Sequence, residues 1–154
     1  MKNALILLAG GSGKRLGGKV PKQFLEVGNT NFIDYFLSKL DSNIFDIIII
    51  TLSKPNKKRY LKSIRDKFRQ HNIYSSLSGH SRQISSKNGL IYLKKFNPKN
   101  VLIHDSARPL AENTLIKKII KKLKNNISCI PYISHNDFIR SKKGTYFRND
   151  EIFN

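Results

Sequence analysis

The sequence has a single cysteine, Cys129, so no internal disulfide can form and a reducing compartment suits the chain. Long apolar runs are also missing. The longest, Ala4 to Ala9 and Ile47 to Leu52, fall far short of the roughly 20 residues that span a bilayer. The first run follows Met1-Lys2-Asn3 directly and is too short for a signal-peptide core with a cleavage site. A cytoplasmic location is therefore expected. His71, His80, His104 and His135 have no metal-ligand spacing with Cys129, which argues against a zinc site. Internal repeats and low-complexity linkers are absent as well. Acidic residues are scarce, 10 against 29 Lys plus Arg, which leaves a net charge of +19.

Such a charge invites nucleic acid as a partner. Against this, lysine outnumbers arginine 21 to 8, and the lysines spread along the chain instead of forming one stripe. Ile, Asn and Lys are abundant together, as an AT-rich coding sequence produces. A diffuse positive field equally suits a small polyanionic substrate. The expected partners carry phosphate and include neither nucleic acid nor membrane. A chain of 154 residues fits one domain and can bury a core.

Strand-like and helix-like patterns alternate along it. Ala4–Ala9 is a continuous apolar run ending in Gly10-Gly11, read as a buried strand and a loop. Phe32, Ile33, Phe36, Leu37 and Leu40 fall at helical spacing, and Ile44–Leu52 is a second buried strand. Ser53-Lys54-Pro55-Asn56 opens a helix with Tyr60, Leu61, Ile64 and Phe68 on one face. Ile73–Leu77 reads as a third strand, Arg82–Lys95 as a helix and Val101–His104 as a fourth strand. A helix carrying Leu115, Ile116, Ile119, Ile120 and Leu123 follows, then a fifth strand at Ile127–Ile133 in which Cys129 is buried. The polar stretch from Asp137 to Arg148 suits a hairpin with a turn at Lys142-Lys143-Gly144. This alternation predicts a mostly parallel sheet with helices on both faces. Ligands of such sheets bind beyond the carboxyl ends of the strands.

Three segments with chemical content lie at those ends. Leu8 to Phe24 reads LAGGSGKRLGGKVPKQF. Gly10, Gly11 and Gly13 let backbone N–H groups approach phosphate oxygens, and Lys14, Arg15, Lys19 and Lys22 supply fixed positive charge. It is neither a Walker loop nor a dinucleotide fingerprint, since Leu16 stands where the third glycine of the latter belongs. In SGHSRQISSKNGL, Ser78 to Leu90, Ser81 is placed to cap a helix that starts with Arg82 and Ser85. A helix start of this kind suits a nucleotide. In His104-Asp105-Ser106-Ala107-Arg108-Pro109, Asp105 is a strand-end carboxylate suited to Mg²⁺, or to an ion pair with Arg108.

LLAGGSGKRL followed by PKQF closely resembles the signature of cytidylyltransferases acting on sugar-alcohol phosphates, nearest the 2-C-methyl-D-erythritol 4-phosphate cytidylyltransferase family. The second segment is similar to that family's Gly-x-x-Arg-Gln-x-Ser-x-x-Asn-Gly-Leu element, with Ser78 where many members have glycine. The third is similar to its His-Asp-x-x-Arg-Pro motif. The resemblance implies a Rossmann-like three-layer α/β sandwich, residues 1–154 forming one nucleotidyltransferase domain with a projecting β-arm at 134–150. It implies transfer of CMP from CTP to 2-C-methyl-D-erythritol 4-phosphate, with release of pyrophosphate, in non-mevalonate isoprenoid synthesis. Ala9, Gly10, Gly11, Ser12 and Gly13 would then wrap the triphosphate, and Arg15 and Lys22 would be catalytic. Gly79, Arg82 and Ser85 would hold the cytidine, and Asp105 would contact nucleotide and Mg²⁺. Ala107 would lie near the ribose and Arg108 would help hold the second substrate. Arg140 replaces the usual lysine of the arm, and Arg148 matches a later catalytic arginine that positions the acceptor.

The arm implies a homodimer. Family members continue past the position of Asn154, so the domain is expected to be incomplete at its C-terminus: truncated, encoded by a split gene, or a remnant. A ribitol-5-phosphate cytidylyltransferase would share nearly every motif. A non-catalytic nucleotide-binding domain remains a further alternative.

Overall fold

The computed structural model describes residues 2–11, 20–123 and 128–132, with the backbone of 139–140 and 146–147. The chain divides into two compact units, Met1–Leu123 and Lys124–Asn154.

In the first unit, β1 (Asn3–Leu8) leads through the glycine loop to a 3₁₀ turn, Lys22–Phe24. A short antiparallel ribbon of β2 (Glu26–Val27) and β3 (Thr30–Asn31) precedes α1 (Phe32–Lys39). Then come β4 (Ile47–Leu52), α2 (Lys54–Lys67), β5 (Ile73–Leu77), α3 (Arg82–Leu93), β6 (Asn100–Asp105) and α4 (Asn113–Lys122). Three of the helices start where a side chain satisfies an orphan N–H. Asn31 caps α1, Ser53 caps α2 with Pro55 in the first turn, and Ser81 caps α3.

The main sheet runs in the order β5-β4-β1-β6, and every pairing is parallel. Ile6 stands opposite Ile49 on one side and Ile103 on the other. Side chains alternate between the two faces. Leu5 and Leu7 pack with Ile33, Phe36 and Leu37 of α1 and with Ile64 of α2. Ala4, Ile6, Ile47 and Ile49 pack with Leu93 of α3 on the opposite face. Sheet between helices on both faces is the expected three-layer α/β sandwich. Helix α3 lies close against the sheet because Gly89 has no side chain: a Cβ there would come 2.9 Å from Ile6 Cγ2.

From β1 the chain moves outward to β4 and β5, then crosses back to place β6 on the other side of β1. The strand order therefore reverses between β1 and β6. The carboxyl ends of those two strands form the crevice where open α/β sheets bind ligands.

The second unit contains an antiparallel pair, β7 (Ile139–Arg140) and β8 (Tyr146–Phe147), with Ile139 opposite Phe147. The ladder agrees with the expected hairpin; its turn lies outside the described residues. The expected strand at Ile127–Ile133 is not formed across 128–132. Pro131 offers no N–H to a ladder, and Ile130 and Tyr132 are 82% and 88% exposed. Cys129 is accordingly half-buried instead of buried in a strand. Among the described residues no helix is long and apolar enough to cross a membrane.

Candidate active site

The loop after β1 is held by its backbone. The N–H of Ala9 donates to the Thr51 carbonyl at 3.1 Å, continuing the β1–β4 pairing by one residue. The Ala9 carbonyl accepts from Gln23 Nε2 at 2.7 Å, and the Gly11 carbonyl accepts from the same nitrogen at 3.0 Å. Between them, Gly10 sits against Ser78: a Cβ on Gly10 would fall 2.2 Å from Ser78 Cβ. Gln23 and Phe24 are buried, and the Phe24 ring stacks on Tyr60 with centroids 3.9 Å apart. Lys22, one position earlier in the same turn, is exposed, with Nζ 5.8 Å from the Phe32 ring centroid. Ser12, Gly13 and Arg15, with Lys14 and Lys19, lie outside the described residues.

The β5–α3 connection closes on itself through serines. Ser81 Oγ accepts from the Ile84 N–H at 3.2 Å. Ser85 Oγ donates to the Ser81 carbonyl at 2.8 Å and accepts from the Gly79 N–H at 3.0 Å. Asn88 Nδ2 donates back to the Leu77 carbonyl at 3.0 Å. These bonds fix where Arg82 leaves the helix.

At the end of β6, Ser106 donates twice to the Leu8 carbonyl, from N–H at 3.1 Å and from Oγ at 2.7 Å. This ties β6 to β1 at the crevice. Asp105 Oδ1 accepts from Arg82 Nε at 3.1 Å, and Arg108 Nε lies 3.8 Å from Oδ2. Arg108 is itself turned back, its N–H donating to the Asp105 carbonyl at 3.0 Å. His104 Nε2 is 2.9 Å from the Arg108 carbonyl, and its ring stacks on Phe36. A carbonyl only accepts, so Nε2 is the protonated nitrogen. Burial holds the imidazole below its ordinary pKa of 6.5, against the opposing pull of that hydrogen bond. Ala107 is exposed beside Arg108.

The structure therefore gathers Gly10, Gly11, Arg82, Asp105 and Arg108 at one sheet edge, with Ala9, Gly79 and Ser85 in supporting backbone and hydroxyl contacts. Arg148 lies outside the described residues. Sequence reasoning assigned no role to Gln23, Ser106 or His104. Only their places within PKQF and HDSARP set them apart.

Among the described residues there is no cluster of three or more His, Cys, Asp or Glu side chains able to hold a metal. Among the described residues Asp105 supplies the carboxylate at the crevice. One carboxylate suits Mg²⁺ carried in on a triphosphate, which needs few protein ligands. It does not suit a resident ion. A separate open cavity of about 620 Å³ lies at the opposite end of β5, lined by His71, Asn72 and Ile73 and by Lys57, Lys62 and Arg65 of α2. It has neither the glycine loop nor a strand-end carboxylate.

The profile of the IspD, 2-C-methyl-D-erythritol 4-phosphate cytidylyltransferase, family matches residues 3–147. The chain belongs to this family. The enzyme of that name from Thermotoga neapolitana is 38% identical over 122 residues, covering 78% of this chain and 53% of its own length. That from Caldicellulosiruptor bescii is 34% identical over 140 residues, covering 91% and 62%. The fold is similar to that of 4-diphosphocytidyl-2C-methyl-D-erythritol synthase from Anaerococcus prevotii, with a TM-score of 0.76 and 26% identity. That match covers 99% of this chain and 66% of the other. The chain thus spans between half and two thirds of these relatives.

Proposed function

We propose that the chain is the nucleotide-binding part of a cytidylyltransferase that transfers CMP from CTP to 2-C-methyl-D-erythritol 4-phosphate in non-mevalonate isoprenoid precursor synthesis. The supporting observation is the meeting of the glycine loop, Arg82 and Asp105 at the strand-order reversal, in a chain of this family. A phosphate oxygen of the acceptor attacks the α-phosphorus in line. The new P–O bond forms as the α–β phosphoanhydride breaks, and pyrophosphate leaves with that electron pair. Arg15 and Lys22 stabilise charge at the α-phosphate, and catalysis is positioning plus electrostatics.

Ser12 and Gly13 continue the phosphate grip begun by Gly10 and Gly11. Both backbone groups of Ala9 are already engaged, so its role is to shape the loop. Gly79, Arg82 and Ser85 frame the cytidine, Ala107 lies near the ribose, and Arg108 and Arg148 take the acceptor phosphate. Mg²⁺, held by Asp105 and the triphosphate, would offset charge on the leaving pyrophosphate. In this reading the arm mediates a cytoplasmic homodimer.

The test is pyrophosphate release from CTP with 2-C-methyl-D-erythritol 4-phosphate, with ribitol 5-phosphate and with neither. Release with the erythritol phosphate alone supports the reading. Release with ribitol phosphate alone reassigns the acceptor, and CTP binding without release leaves a nucleotide-binding domain. Absence of CTP binding overturns the reading.

A further inference from the structure

We infer that Gln23 is the positioning residue of the glycine loop: its carboxamide latches the carbonyls of Ala9 and Gly11 and so sets the loop's shape for a triphosphate. The inference rests on the nucleotide-binding reading above and extends it to a residue that touches no substrate.

The chemistry of the contact is specific. A primary amide nitrogen carries two hydrogens at a wide angle, and here each has its own carbonyl, at 2.7 and 3.0 Å. Both partners only accept, so nitrogen and not oxygen must face them. Gln23 is 4% and Ala9 1% exposed, so the Ala9 carbonyl would find no water as a ready substitute, while Gly11 stands at the exposed end of the latch. The two carbonyls straddle Gly10, where Ser78 fills the space a Cβ would need. Residue 10 is thus fixed through both neighbours and from its open side. A carbonyl oxygen turned toward a triphosphate would repel it, and the latch turns two of them onto a neutral donor.

The 3₁₀ turn divides its labour among consecutive residues. Phe24 anchors the turn on Tyr60, Gln23 holds the loop, and Lys22 is left exposed. Loop shape and the placement of the Lys22 ammonium are therefore set by one rigid element. This gives a physical reason for lysine, glutamine and an aromatic to stand side by side.

The test uses Gln23→Met, which keeps length and burial but has no donor, with Gln23→Asn as a milder variant that retains a carboxamide. In the nucleotide-free protein, exchange of the Ala9 N–H, which is bonded to the Thr51 carbonyl at 3.1 Å, should accelerate by about tenfold or more in Gln23→Met, the worth of a lost hydrogen bond. Exchange in β4 and α1 should stay at the parent rate. In turnover, KM for CTP should rise by about tenfold while KM for the acceptor is unchanged. Ala9 exchange at the parent rate overturns the latch. A uniform loss of protection through β4 and α1 also overturns it, because Gln23 would then be a packing residue. Should Gln23→Met not fold, the same exchange comparison on Gln23→Asn decides. A parent protein that binds no CTP defeats the proposed function, while the exchange result still decides the latch.

Discussion

Arg82 Nε stands 3.1 Å from Asp105 Oδ1, joining the first residue of α3 to the end of β6. The side chains are 59% and 31% exposed. An ion pair this wet contributes about 0–1 kcal/mol to stability, so its worth lies in what it holds in place. Asp105→Asn should leave the melting midpoint within a few degrees of the parent. It should lower turnover by roughly 10²-fold or more, the scale of one lost electrostatic group at a reacting phosphate. Pyrophosphate release alongside thermal melting checks both. A large drop in melting with turnover preserved would make the pair structural instead.

Lys22 offers a sharper test of the chemistry, because its neighbours Gln23 and Phe24 carry the packing and Lys22 is exposed. Lys22→Ala should fold normally and lose roughly 10²–10³ in kcat, by analogy with deletion of one transition-state donor. Single-turnover kinetics at saturating CTP isolates that step. Parent-like pyrophosphate release from this variant would remove Lys22 from the mechanism.

Gly10 and Ser78 form a pair whose fit can be measured directly. Gly10→Ala puts a methyl 2.2 Å from Ser78 Cβ, an overlap that costs about 1–3 kcal/mol in a packed setting. Trimming the other side relieves it: Gly10→Ala with Ser78→Gly should recover most of the loss in a denaturant-based double-mutant cycle. Purely additive effects would show that the two residues do not press on one another.

Much of this fold is legible along the chain. Ile47–Leu52 is buried at every position and lies within the stretch Ile44–Leu52 that reads as a strand, whose first three residues instead form the turn before it. Ile64 and Phe68 announce the inner face of α2 by spacing, and Ser53 and Ser81 announce helix starts. What sequence does not show is which distant groups meet. Gln23 reaching Gly11 depends on how the loop after β1 folds back, and Ser106 reaching Leu8 and Arg82 reaching Asp105 depend on the strand order 5-4-1-6, which local periodicity does not encode. The misread stretch at 128–132 has the same origin. Apolar residues flank Pro131 there, but a strand needs a neighbour and a donor as well as an apolar surface.

Two histidines, His71 buried and His104 half-buried, predict how stability responds to acid. His71 is 6% exposed; its Nε2 donates to the Leu37 carbonyl at 3.2 Å, and its buried Nδ1 has no partner among the described residues. Burial lowers its pKa, against that hydrogen bond, as burial also does for His104. The unfolded chain takes up these protons near the ordinary value of about 6.5, while the folded chain resists until lower pH. The unfolded state therefore binds more protons as pH falls below about 6.5, and stability declines with it. Above that value the contribution is fully present. Asp41 does not enter this window, since the Lys117 hydrogen bond lowers its pKa from 3.8 and its effect is lost only in stronger acid. The melting midpoint should be flat from about pH 8 to 7 and fall toward pH 5.5. Gln at position 71 keeps a donor for Leu37 without titrating, so combining His71→Gln with His104→Gln should flatten the acid limb. An unchanged slope in the double variant would place the sensitivity on other groups.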